Sequence, residues 1–152
     1  HVVVELDRLR AEELRARGVS VVYGDAAMPG ILTAAAIARA RLLIITVANR
    51  YQALRILELA RAANPAIETV IRTPYEAEVE QLEKAGAGLV VCAEREVALG
   101  VMTYALRRMG LSEGETRLFV QSSRRPEDTG MTPAAEPHET VPELRPHRAD
   151  PP

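Results

Sequence analysis

The sequence predicts a doubly wound α/β domain, a parallel sheet with helices on both faces, over residues 1–110, followed by a Pro-rich, disordered tail over 111–152. Three observations carry this. Short aliphatic runs alternate with helical patterns at roughly 20 to 25 residues per unit, as β-α units with right-handed crossovers do. "LLIITVA" (Leu42 to Ala48) is apolar on both faces, which fits a strand covered on both sides. Beyond about Ser122, seven of the ten prolines appear, at Pro126, Pro133, Pro137, Pro142, Pro146, Pro151 and Pro152. Such a segment buries too little apolar surface to offset the entropy of ordering it.

The elements follow in order. "VVVEL" (Val2 to Leu6) is a strand, and Asp7 is placed to cap the next helix. "VSVVY" (Val19 to Tyr23) is the second strand, after which Pro29 introduces a helix running to about Ala40. "LLIITVA" is the third strand. Ala53, Ile56, Leu57 and Ala60 then recur at helical spacing, and the helix stops before Asn64-Pro65. "IETVI" (Ile67 to Ile71) is the fourth strand. Tyr75, Val79 and Leu82 form the next helical stripe, with Gly86 as its stop. "LVVC" (Leu89 to Cys92) is the fifth strand. A last helix carries Val97, Val101 and Tyr104 and closes on Arg107, Arg108 and Gly110. "TRLFVQ" (Thr116 to Gln121) reads as an isolated strand or a docking segment.

Composition removes several classes. The net charge is −2, so nothing electrostatic points to nucleic acid as a partner. The single cysteine, Cys92, excludes an internal disulfide, and it reads as a buried, inert thiol. His1, His138, His147 and Cys92 have no metal-ligand spacing. No apolar run reaches the roughly 20 residues needed to span a bilayer. The chain opens at His1 inside a strand, which leads to the expectation of a fragment of a longer polypeptide.

Ligands of open α/β sheets sit outside the C-terminal strand ends. Those ends present Glu5; Gly24, Asp25 and Ala26; Thr46, Val47, Ala48 and Asn49; Arg72 and Thr73; and Cys92 to Glu94. An acid ending a strand accepts from a ribose diol and disfavours a 2′-phosphate, a role open to Glu5; its alternative is a solvated strand end or cap. Asp25 suits an adenine amino group, with Gly24 letting the base approach the backbone, or the pair is a plain turn. Arg72 suits phosphate, or an exposed or interfacial ion pair. Thr46 by itself reads first as sheet packing.

Several strings, taken in order, carry a family likeness: Glu5 at its strand end, "RARGVSVVYGDA", "ARARLLIIT", "ELARAANP", "VIRT" and "AGAGLVVCAERE". Over about residues 1 to 105 the chain resembles the RCK, KTN or TrkA-N domain, the nucleotide-binding regulatory domain of potassium channels and Kef- or Trk-type transport proteins. The style of "VVYGDA" is most similar to the C-terminal domains of Kef-type cation:proton antiporters. The resemblance implies a Rossmann-like regulatory module, not an enzyme. It implies a homodimer, NAD(H) or AMP as regulatory ligand, and a membrane transport domain in the same polypeptide whose gating the module controls from the cytoplasmic face. Carried over by position, Glu5 holds the ribose, Gly24, Asp25 and Ala26 meet the adenine, Thr46 and Val47 flank the ligand, and Arg72 lies near phosphate or the dimer contact.

The family's first strand and its G-x-G-x-x-G turn are absent; "GAG" at Gly86 to Gly88 follows a helix and precedes a strand. That turn supplies the amides that take a pyrophosphate. The missing strand is central in the usual order, so two inner edges are expected to lack a partner and the chain to be poorly stable or to pair them with another chain. Truncation upstream is the expected cause. Two other readings remain: the nucleotide half of an NAD-dependent oxidoreductase, which the Pro-rich tail cannot complete, and a ligand-free dimerisation module, which the missing turn favours. No histidine lies between His1 and His138, and the only lysine, Lys84, pairs with Glu80 on a helix surface.

Overall fold

The structure, a computed structural model, describes residues 1–124. The described chain forms two compact units, residues 1–102 and a second from Thr103 onward. The first unit alternates strands and helices: β1 (Val3–Glu5), α1 (Arg8–Ala16), β2 (Val21–Tyr23), α2 (Ile31–Ala34), β3 (Leu42–Ile45), α3 (Arg50–Ala63), β4 (Glu68–Thr73), α4 (Val79–Lys84) and β5 (Leu89–Cys92). Helix α5 (Ala93–Arg108) crosses the unit boundary, and α6 (Glu113–Ser122) lies in the second unit.

Every strand pairing is parallel, but the strands fall into two sheets, β1-β2 and β3-β4-β5. Among the described residues, β1 and β3 each keep one edge without a strand neighbour. This is the arrangement expected if the strand between them is absent.

Local signals explain the boundaries. Asp7 caps α1 by accepting from the Arg10 N–H at 2.8 Å. Asn49 caps α3 by accepting from the Gln52 N–H at 3.1 Å. Helix α3 ends at Ala63, and Asn64 turns its side-chain amide onto the carbonyls of Ile37 (3.1 Å) and Ala40 (2.9 Å). Gly86, at φ 95°, follows α4.

The core lies where α3 and α4 cover one face of β3-β4-β5. Ile45, Ile71 and Val90 share a row across the three strands and are buried against Ala53, Ile56, Leu57 and Ala60 of α3 and Val79 and Leu82 of α4. The opposite row is Ile44, Val70 and Leu89. Ile44 is 61% exposed, and Leu42 and Leu89 are also exposed. The expectation that "LLIITVA" is covered on both sides is therefore corrected. Its side chains alternate, the α3 and α4 layer meets one parity, and no described element of this unit buries the other.

Three further readings are corrected. The helix expected from Pro29 to Ala40 breaks after Ala34: Ala36 takes φ 58° and a 3-10 turn follows at Ile37–Arg39. Leu32 and Ile37 are both buried; five residues apart, they would diverge on a continuous helix, and the break brings both to the core. Tyr75 stands exposed ahead of the 3-10 turn at Glu76–Glu78, and only Val79 and Leu82 of that stripe are buried. Helix α5 is present as expected and ends on Arg107 and Arg108; its Val97, Val101 and Tyr104 are exposed, while Leu99 is buried. "TRLFVQ" is helical, because Ser112 and Glu115 form a capping box that starts α6. Helix α6 thus lies inside the segment expected to be tail; the prolines from Pro126 onward lie outside the described residues. The Lys84–Glu80 surface pair is present, and Cys92 is buried.

Candidate functional site

Parallel register brings the ends of β1 and β2 together. Glu5 pairs with Tyr23, and the Gly24 N–H donates to the Glu5 carbonyl at 2.9 Å. The carboxylate of Glu5 is half-buried and already oriented: Oε1 accepts from the Asp7 N–H at 2.9 Å, and Arg10 Nε lies 3.6 Å from Oε2. A carboxylate has about four lone-pair sites, so acceptor capacity remains. A cleft of about 490 Å³ opens beside it, lined by Glu5, Asp7, Arg10 and residues farther along α1. None of the other predicted site residues lines this cleft.

Gly24 has a structural reason to be glycine. Its φ is 150°, and a Cβ there would lie 2.5 Å from Cδ1 of Ile31. Asp25, half-buried, accepts twice through Oδ1, from the Ala27 N–H at 2.8 Å and from Nε2 of Gln52 at 2.9 Å. The first bond is a turn within the loop; the second reaches the first turn of α3. Ala26 and Val47 pack against the core, and Thr46 is exposed. Thr46 and Arg72 directly follow the paired residues Ile45 and Ile71, so they stand on neighbouring strand ends. Arg72 is half-buried, and its side chain has no hydrogen bond or ion pair among the described residues.

The predicted residues thus form two groups, Glu5 to Ala26 on β1-β2 and Thr46, Val47 and Arg72 on β3-β4, and the Asp25–Gln52 bond joins the two. Sequence reasoning missed Gln52 and its neighbour Arg50. Arg50 sits over the Tyr51 ring, 4.8 Å from its centroid, and its Nε is buried without a partner among the described residues. "NRYQ" reads as a helix start with Gln52 at the third position, where a capping box would turn its amide back to Asn49. The contact to Asp25, 27 residues away, leaves no local signature.

Among the described residues no cluster of potential ligands is suited to a metal ion, and no helix is long and apolar enough to cross a membrane. The fold and its strand-end rim are those of a Rossmann-like parallel α/β domain. The chain belongs to the TrkA-N domain family, whose model matches residues 1–93. It is 45% identical over 97 residues to the putative cation/proton antiporter YbaL of Escherichia coli, covering 64% of this chain and 17% of that protein. It is 30% identical over 124 residues to the putative K(+) efflux antiporter KefB of Alkalimonas amylolytica, covering 82% of this chain and 19% of that one. The chain therefore spans less than a fifth of these relatives. Among solved structures, the TrkA-N domain of Escherichia coli inner membrane protein YbaL matches with a TM-score of 0.63 at 44% identity, covering 66% of this chain and 74% of that one. The Shewanella denitrificans Kef C-terminal domain in its AMP-bound form has the same fold, with a TM-score of 0.63 at 24% identity and coverages of 80% and 89%. GsuK bound to ADP matches with a TM-score of 0.60 at 25% identity, covering 67% of this chain and 27% of that one.

Proposed function

We propose that this chain is a nucleotide-sensing regulatory domain that binds NAD(H), AMP or a similar adenine nucleotide and gates a potassium or other monovalent cation:proton antiporter from the cytoplasmic face of the membrane. The observation that carries the reading is the convergence of Glu5 and Asp25 on one sheet edge, each with acceptor capacity to spare. It is supported by the antiporter relatives and by the adenine nucleotides in the Kef and GsuK structures.

In this reading Glu5 accepts from the ribose hydroxyls, and its charge repels a 2′-phosphate. Asp25 and Ala26 meet the adenine, Gly24 lets the base approach the backbone, and Thr46 and Val47 flank the ligand. Arg72, with no anion paired to it among the described residues, neutralises phosphate. A second copy of the domain is the partner for the exposed α5 face at Val97 and Val101, 63% and 65% exposed. The ligand acts by binding one arrangement of the domain more tightly than another, which shifts the attached transport domain by that difference in affinity. Cation flux through the full-length protein in proteoliposomes tests this. Flux that responds to AMP or NADH, with the response lost in Asp25→Ala, is expected; flux indifferent to both nucleotides overturns the reading.

A further inference from the structure

We propose that Gln52 is a positioning residue for base recognition, holding the Asp25 carboxylate so that the site selects a 6-aminopurine over a 6-oxopurine. The inference rests on the nucleotide-binding reading above and adds to it the residue that sets the selectivity.

The Asp25 carboxylate is held from two directions at one oxygen. The Ala27 N–H comes from its own loop and Nε2 of Gln52 from α3, both to Oδ1. Two donors from separate elements fix the plane of the group as well as its position. Gln52 is itself rooted in a rigid element, since the next residue, Ala53, is 2% exposed in the core and Ile56, Leu57 and Ala60 of the same helix are buried with it. The bond also crosses a structural gap. The loop after β2 belongs to the β1-β2 sheet, whereas α3 packs on β3-β4-β5, and among the described residues no strand pairing joins the two sheets. Gln52 therefore fixes where Asp25 stands relative to Thr46 and Val47 at the end of β3.

The chemistry of selection follows from the other oxygen. Oδ2 of Asp25 has no partner among the described residues. An ionised carboxylate only accepts. It takes a hydrogen bond from the exocyclic amino group of a 6-aminopurine and meets lone pairs on the oxygen of a 6-oxopurine. A carboxylate free to swing could leave the 6-oxo group and accept instead from the N1–H of a 6-oxopurine, which would shrink that contrast, and Gln52, with the Ala27 N–H, restrains the swing. Its amide is used for this rather than for the return bond to the Asn49 N–H that a capping box would make.

The test is calorimetric titration of AMP and IMP into the full-length protein. Gln52→Met keeps side-chain length and helix propensity and removes the donor. Its AMP-to-IMP affinity ratio is expected to fall about tenfold. Asp25→Asn supplies an independent arm. The two N–H donors hold its amide oxygen at the Oδ1 position, the NH2 takes the place of Oδ2, and the preference is expected to invert toward IMP. An unchanged ratio in Gln52→Met, or a retained AMP preference in Asp25→Asn, overturns the inference alone. A wild-type protein that binds neither nucleotide overturns both the inference and the reading beneath it. If Gln52→Met fails to fold, the Asp25→Asn arm decides.

Discussion

Replacing Gly24 by alanine strikes the turn on which the rim depends. Two costs are readable from the geometry. A φ of 150° is a conformation that residues with a Cβ rarely adopt, which costs about 1–3 kcal/mol. The new Cβ would also lie 2.5 Å from Cδ1 of Ile31, and moving that side chain off its rotamer costs about 0.5–1.5 kcal/mol. Gly24→Ala is therefore expected to destabilise by about 2–4 kcal/mol. Native-state hydrogen exchange at the amides around the turn measures it, a readout of local opening that needs no cooperative unfolding of the whole chain. In an Ile31→Val background, which removes Cδ1, the penalty should shrink by about 1 kcal/mol, leaving the backbone cost. A Gly24→Ala protein within about 0.5 kcal/mol of wild type would refute the reasoning.

Other outcomes follow from the same geometry. Asn64→Ala removes the donor shared by the Ile37 and Ala40 carbonyls and should lower the protection of the neighbouring amides against hydrogen exchange by about 1–2 kcal/mol. Hydrogen bonds from Ser112, first its side chain and then its backbone, hold the Glu115 carboxyl below its ordinary value of 4.5. A lowered folded-state value contributes stability that is present above the unfolded value and lost as pH falls through the lowered one. Fraying of α6 at acid pH, read from its amide resonances, should thus be pH-dependent in wild type and absent as a titration in Glu115→Gln. The unpaired edges of β1 and β3 should make the 152-residue chain associate or unfold without cooperativity; clean two-state unfolding of a monomer contradicts that.

The sequence made the β-α alternation readable because buried parallel strands are runs of aliphatics and helix starts carry caps such as Asp7. The split between β1-β2 and β3-β4-β5 was foreseeable only from the family resemblance, whose usual strand order places between them a strand and glycine turn that this sequence does not contain. Tertiary choices were less visible. The exposed stripe Val97, Val101 and Tyr104 has the same spacing as a core stripe, and spacing alone does not say which apolar face finds cover. The break at Ala36 follows from Leu32 and Ile37 both needing the core, a demand known only once the core exists. Helix α6 had a local signature in the sequence, since "SEGE" at Ser112 to Glu115 is a capping box, ahead of the β-prone Phe119 and Val120. At the rim, Glu5 and Asp25 were marked by their place at strand ends, while Gln52 reaches the site only through a contact between distant parts of the chain.

The central claim is that Glu5 and Asp25 form one adenine-nucleotide site. Calorimetric titration of AMP into the full-length protein, repeated on Glu5→Ala and Asp25→Ala, tests it most directly. The account predicts saturable binding in wild type that weakens at least about tenfold in each variant, since each loses a charge-assisted hydrogen bond. Wild-type binding that neither substitution weakens, or a folded wild type that binds no nucleotide, would contradict it.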